Sequence, residues 1–363
     1  MGATAAVTWA ACGMHDRPTL GGGSQGGEGS QGGSTANGFV TDGAVICGAD
    51  VHHPVTHPPL VYFVLDRSGS MEDDAGDGST RWAHVRDAAV TIVDDFGALV
   101  RVGAAVFPAA GAGDGEECQT GAQVYSPTAD SSPSGFENAI DHGTFGGTPI
   151  SATLAALTDT IVAEEAPRAV ILATDGAPNC NAGTSCSPSD CMVNIFGECP
   201  ADVTNCCDPA EGGTWLNCVD RMASVHAVQS LSAAGADVYV VGIPGSEKFA
   251  NILDQLAVVG GVPRQDADSF YYRVDDLDTL SAVFKSIAAS LVSCTFDLSD
   301  PPEAPGKTNV YFDEQVVLQD PVNGWIWVDA DTVELEGAAC EELKTGNVSE
   351  VKIVSGCPTA TPR

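Results

Sequence analysis

The chain has 363 residues, 44% of them hydrophobic, with 15 Lys plus Arg against 49 Asp plus Glu and a formal charge of −34. That length allows one large domain with an appendage or two domains, and the apolar content supports a real core, which excludes wholesale disorder. The negative charge excludes direct nucleic-acid binding and docking on an anionic membrane, and no apolar run reaches the roughly eighteen residues of a spanning helix.

Thirteen cysteines, none in the paired CxxC units that hold zinc, point to an exported protein with disulfides in an oxidising environment. Residues 1–18 are read as an export segment of lipoprotein type. A short apolar stretch, Ala3 to Ala11, ends in small residues directly before Cys12, the expected lipid-bearing residue, although no Lys or Arg precedes it. Residues 19–57 are read as a flexible linker and approach segment, with Gly, Ser and Gln dominating to about Asn37. The stretch Gly22–Gly26 formally matches GxSxG, but without a preceding strand or following helix it is no nucleophile elbow. His52, His53 and His57 read as ordinary exposed residues of the approach.

From residue 58 onward apolar strands alternate with amphipathic helices. Leu60 to Leu65 is continuously apolar, as for a strand covered on both faces. Trp82, Val85, Ala89, Ile92 and Phe96 stripe a helix over Arg81 to Phe96, and Val100 to Phe107 is the next strand. Ile150, Leu154, Leu157 and Ile161 stripe another helix before a strand at Ala169 to Ala173; Val238 to Ile243 is a further strand. Leu280, Phe284, Ile287 and Leu291 mark the last helix of this body. Such alternation predicts an α/β fold with a doubly wound, mostly parallel sheet flanked by helices, whose ligands bind at the carboxyl ends of the strands.

At those ends stand Asp66-Arg67-Ser68-Gly69-Ser70, then Gly146-Gly147-Thr148-Pro149, then Thr174-Asp175-Gly176. Two carboxylates and three hydroxyls suit a hard divalent cation, which takes about six oxygen ligands and keeps some water. The acidic loop from Glu72 to Gly78 lacks EF-hand spacing and reads as solvated, with a second, calcium-type ion as the alternative.

This ordered set resembles the von Willebrand factor type A (vWA) domain and its metal-ion-dependent adhesion site (MIDAS), with Asp66, Ser68, Ser70, Thr148 and Asp175 at the motif positions over roughly Pro58 to Ser293. The resemblance implies a vWA/Rossmann-like sheet with one antiparallel edge strand, and Mg2+ as the bound ion, with Mn2+ or Ca2+ as alternatives. It also implies metal-dependent binding of a protein ligand that presents an Asp or Glu carboxylate, without turnover. Bacterial surface vWA lipoproteins are similar, which implies a cell-envelope location, lipid-anchored to the outer membrane or cell surface. The membrane would then be met only through that N-terminal lipid. A structural scaffold with a fold-stabilising ion is the alternative. An enzyme is the weaker one, because no nucleophile–base–orienter set stands beside the site loops and only His84 and His142 lie near them in sequence.

Domains are expected at 58–293, with a Cys-rich insertion at 177–218, and at 294–363, a small β-rich C-terminal domain of short strands. Those strands are Val310 to Phe312, Gln315 to Leu318, Trp325 to Val328, Thr332 to Leu335 and Glu350 to Val354, with a turn at Asn323-Gly324. The insertion is too poor in apolar residues to build its own core and needs crosslinks. Its odd number of cysteines sends one outside, giving Cys118–Cys180, with the remainder pairing among Cys186, Cys191, Cys199, Cys206, Cys207 and Cys218. Cys47–Cys294 and Cys340–Cys357 are the other expected bridges. Lying just after Asp175, the insertion is expected to shape the partner-binding surface.

Overall fold

The computed structural model describes residues 38–362 apart from 42–43, 48–49, 53, 56–57, 114, 129–130, 189–190, 194, 197 and 266–267. The expectations for residues 1–18, for Cys12, for the linker to residue 37 and for His53 and His57 lie outside the described residues.

In chain order the elements are β1 (Gly38–Thr41), β2 (Ala44–Cys47), β3 (Asp50–His52), β4 (Pro54–Val55), β5 (Leu60–Asp66), α1 (Arg81–Phe96), β6 (Arg101–Phe107), β7 (Ala122–Thr128), α2 (Pro133–Ile140) and α3 (Ile150–Val162). Next come β8 (Arg168–Thr174), α4 (Arg221–Ala233), β9 (Asp237–Gly242), α5 (Ala250–Val259), β10 (Tyr272–Arg273) and α6 (Leu280–Leu291). The tail holds β11 (Thr295–Leu298), β12 (Thr308–Phe312), β13 (Gln315–Val317), β14 (Trp325–Trp327), β15 (Thr332–Leu335), α7 (Ala338–Lys344) and β16 (Val351–Ser355).

Side chains alternate across a strand, and β5 shows why its sequence is apolar throughout. Val61, Phe63 and Leu65 join the core cluster that holds Val85 and Ile92 of α1, Phe136 of α2 and Phe284 of α6. Leu60, Tyr62 and Val64 join the opposite cluster, with Leu154 of α3, Val228 of α4 and Leu253 of α5. The α1 helix starts where Thr80 caps it, its hydroxyl accepting from the Ala83 N–H at 3.1 Å.

The central sheet runs β10-β9-β8-β5-β6-β7. Its neighbours are parallel except for β7, which pairs antiparallel with β6 at the edge. The chain winds outward from β5 to β6 on one side and from β8 to β9 to β10 on the other. The switch point therefore falls between the carboxyl ends of β5 and β8, where Asp66 and Thr174 stand.

The tail forms two four-stranded antiparallel sheets, β14-β15-β11-β4 and β13-β12-β16-β3. Each takes one edge strand from before the α/β body: Val55 pairs with Asp297, and His52 pairs with Ile353. The end of the approach segment thus completes the tail, and the α/β body lies between strands of the same sheets. Phe296, Val310, Trp325 and Leu343 share one apolar cluster with the α1 and α6 residues, and residues 37–363 hold together as one unit. The turn at Asn323-Gly324 connects β13 to β14, which belong to different sheets.

Among the described residues, disulfides join Cys118 to Cys180, Cys186 to Cys218, Cys191 to Cys207, Cys199 to Cys206 and Cys294 to Cys340. The last corrects two expected bridges, Cys47–Cys294 and Cys340–Cys357. Cys294 directly precedes β11, whose neighbour β15 is followed two residues later by α7, so Cys340 arrives 5.5 Å away between Cα atoms. The Leu335 N–H donates to the Cys294 carbonyl at 2.8 Å and seals that approach. Cys357 is also disulfide-bonded, and the side chain of Cys47 lies outside those described. Among the described residues no helix is long and apolar enough to cross a membrane.

Candidate metal-ion site

β5 delivers Asp66 to its carboxyl end with no exposed surface. One carboxylate oxygen accepts from the Ser68 N–H at 2.8 Å and the other from the Thr174 hydroxyl at 2.5 Å, which joins the ends of β5 and β8. The chain then tightens into a short 3-10 turn, Gly69–Glu72. At its start the Ser68 and Ser70 hydroxyl oxygens stand 3.3 Å apart, and the Ser70 hydroxyl donates to Asp175 Oδ1 at 2.8 Å. Thr148 enters from the glycine loop before α3 and is 5% exposed. It reaches the turn after β8: a Cβ built on Gly176 would lie 3.6 Å from its hydroxyl oxygen. Ser68, Ser70, Thr148 and Asp175 line one cleft of about 330 Å³, and Asp66 lies directly behind Ser68.

Burial and then the neighbouring Asp175 push the Asp66 carboxyl up to about 7, against opposing hydrogen bonds from Thr174 and Ser68. Burial raises Asp175 too, offset by Ser70 and by Arg81. Arg81 Nη1 lies 2.7 Å from Asp175 Oδ2 and 3.1 Å from Asp73. Two buried carboxylates side by side are costly unless a cation relieves them, and the surrounding donors are all hard oxygens. The residues present therefore fit a divalent cation such as magnesium.

Three organising residues carry no signal in the motif spacing. Arg67, 4% exposed, aims Nη1 at the Pro108 and Ala109 carbonyls (2.9 and 2.8 Å) and Nε at the Gly143 carbonyl (2.5 Å), so it ties together the loops around the cleft. Arg81 binds Asp175 as described. Buried Asn179 accepts from the Thr148 N–H at 2.9 Å.

The acidic loop's carboxylates are engaged by neighbouring groups of the protein. Asp74 accepts from the Gly76 N–H at 2.5 Å, and Asp77 accepts from the Ser79 N–H at 2.8 Å and pairs with His84 at 3.0 Å. Cys186, Cys207 and Cys218 bring three sulfurs within 4.8 Å of one another, but each sits in a disulfide and offers no thiolate. A larger groove of about 690 Å³, lined from α3 and α4 by residues such as Ala155 and His226, holds none of the five donors.

Ile195 and Phe196 of the insertion line the same cleft, as do Lys248 and Phe249 after β9. The Phe196 N–H donates to the Asn217 side chain at 2.8 Å, and Asn217 is itself only 1% exposed, so the insertion's interior fixes this wall.

No protein-family model matches the sequence, and no curated protein matches it. Among solved structures the chain is similar to the pilus adhesin SpaC of Lactobacillus rhamnosus GG, at 17% identity over 83% of this chain and 39% of that one, with a TM-score of 0.48. It is also similar to proximal thread matrix protein 1 of the mussel byssus with a zinc-occupied MIDAS motif, at 15% identity over 68% and 50%, TM-score 0.40. A third is the vWF domain of the type V pili tip protein Mfa5 of Porphyromonas gingivalis, at 13% identity over 65% and 95%, TM-score 0.43. The chain spans about two fifths of the first protein's length and half of the second's. At these identities and TM-scores the matches carry no weight for function, which rests on the cleft's own geometry.

Proposed function

We propose that Asp66, Ser68, Ser70, Thr148 and Asp175 hold a divalent cation of the magnesium type, and that the chain uses it to bind a protein partner through an Asp or Glu carboxylate. The observation that carries this is the meeting of Asp175 with the Ser68, Ser70 and Thr148 hydroxyls in one open cleft, Ser70 lying 2.8 Å from Asp175, with the buried Asp66 carboxylate directly behind Ser68. Bound there, such an ion supplies a positive centre with room for one more oxygen ligand. Manganese and calcium are the exchangeable alternatives. Three of the five donors are neutral hydroxyls, so with Asp66 and Asp175 acting through water or hydrogen bonds the ion keeps much of its charge for an incoming carboxylate. Arg81 and Lys248 add local positive charge to a chain that is otherwise strongly acidic. Ile195 and Phe196 offer apolar surface to whatever flanks that carboxylate.

The disulfides support an exported protein at the cell envelope, and Cys12 is the proposed site of its lipid anchor. Binding without turnover is the activity proposed. The complete burial of Asp66 favours one second reading, a scaffold whose ion only stabilises the fold. A blocked aspartate peptide titrated into the Mg2+-loaded chain separates the two. Peptide shifts abolished by chelator and by Asp66→Ala support capture. A melting temperature that falls on chelation with no peptide response at any metal level supports the scaffold.

A further inference from the structure

We infer that the Cys118–Cys180 disulfide and Asn179 form a clamp that sets the position of Thr148, and with it the metal affinity; this rests on the metal reading above. Asp66, Ser68, Ser70 and Asp175 all stand on or directly after neighbouring strands of one sheet. Thr148 alone comes from a loop, and its place has to be fixed by something else.

The loop 146–148 is gripped from both sides. On one side the Gly147 N–H donates to the Glu117 carbonyl at 2.8 Å, one residue before Cys118. On the other, the Thr148 N–H donates to Asn179 Oδ1 at 2.9 Å while the Asn179 N–H donates to the Thr148 carbonyl at 3.2 Å, one residue before Cys180. Those flanking segments, 62 residues apart in sequence, are joined by the disulfide. The loop presses on the bond itself: a Cβ on Gly147 would meet Cys180 Sγ at 2.7 Å and Cys118 Sγ at 3.6 Å. Gly146, at φ +72°, closes the same approach, since a Cβ there would meet the Glu117 carbonyl oxygen at 2.5 Å. Both glycines are therefore required by the closeness of the clamp. Groups that orient a metal ligand without touching the ion typically shift affinity by about 10–100-fold.

The test is a Mn2+ titration of the oxidised full chain, read by calorimetry and by the electron paramagnetic resonance spectrum of the bound ion. Cys118→Ser/Cys180→Ser and, separately, Asn179→Ala should each weaken Mn2+ binding by about tenfold or more and change the bound-ion spectrum, with the circular dichroism unchanged. Cys191→Ser/Cys207→Ser, which removes a bridge inside the insertion, should leave both readouts as in the wild type. If the Cys118/Cys180 variant fails to fold, Asn179→Ala decides alone. Wild-type uptake with unchanged affinity in Asn179→Ala and in the Cys118/Cys180 variant would overturn the clamp, as would an equal loss in the Cys191/Cys207 variant. A wild type that takes up no Mn2+ would overturn the metal reading and the clamp with it.

Discussion

Asp66 concentrates the tension in the cleft: it is wholly buried, faces Asp175, and is held to near neutrality before it ionises. In the unfolded chain the same carboxyl releases its proton near pH 4. Between those values the folded state binds more protons than the unfolded one, so stability falls as pH rises from about 4 to about 7. Urea unfolding of the chelated chain should show a lower midpoint at pH 8 than at pH 5, with a smaller difference in Asp66→Asn. An equal difference in both would detach the effect from this carboxyl. At the same scale, Ser68→Ala and Thr148→Ala should each weaken Mn2+ uptake while the fold persists, as spectral titration alongside circular dichroism would show. The five residues of the candidate site are legible in the sequence because each sits at a strand end or loop that the apolar pattern locates. Arg67, Arg81 and Asn179 are not, because spacing does not say which carbonyl or carboxylate a buried side chain reaches.

Elements legible in the sequence are those whose apolar pattern is strong on its own. β5, buried throughout, and α1, with Trp82, Val85, Ala89, Ile92 and Phe96 on one face, lie where the pattern puts them. β7 is missed because an edge strand that is half-exposed and carries Pro127 has no apolar run to read. β3 and β4 are missed because each has at most three residues and its partner lies some hundreds of residues away. The Cys294–Cys340 bridge follows from the β11–β15 pairing, which no count of cysteines reveals. Phe63 is the element-scale test. Its ring packs against Phe136 at 5.9 Å and Phe284 at 5.4 Å between centroids, so β5 holds α2 and α6 through one side chain. Phe63→Ala should cost about 3–5 kcal/mol in chemical denaturation. A loss under about 1 kcal/mol would mean that the cluster refills the space.

For the molecule as a whole, the strands before and after the α/β body close the same two sheets. A linker ending at residue 57 would leave stability unaffected when removed. Here, removing the residues before Pro58 strips β3 and β4 from their sheets and bares two strand edges. The thermal midpoint should fall while Mn2+ uptake by the remaining chain persists; an unchanged midpoint would return residues 50–55 to the role of tether. The charge of −34 acts at the same scale, gathering cations around the chain and repelling acidic surfaces.

Equilibrium dialysis against Mn2+ tests the central claim most directly. The wild-type chain should retain about one ion at a saturating level, and Asp66→Ala and Asp175→Ala should retain none there while keeping the wild-type circular dichroism. No uptake by the wild type at millimolar Mn2+, or equal uptake by the two variants, would contradict the account.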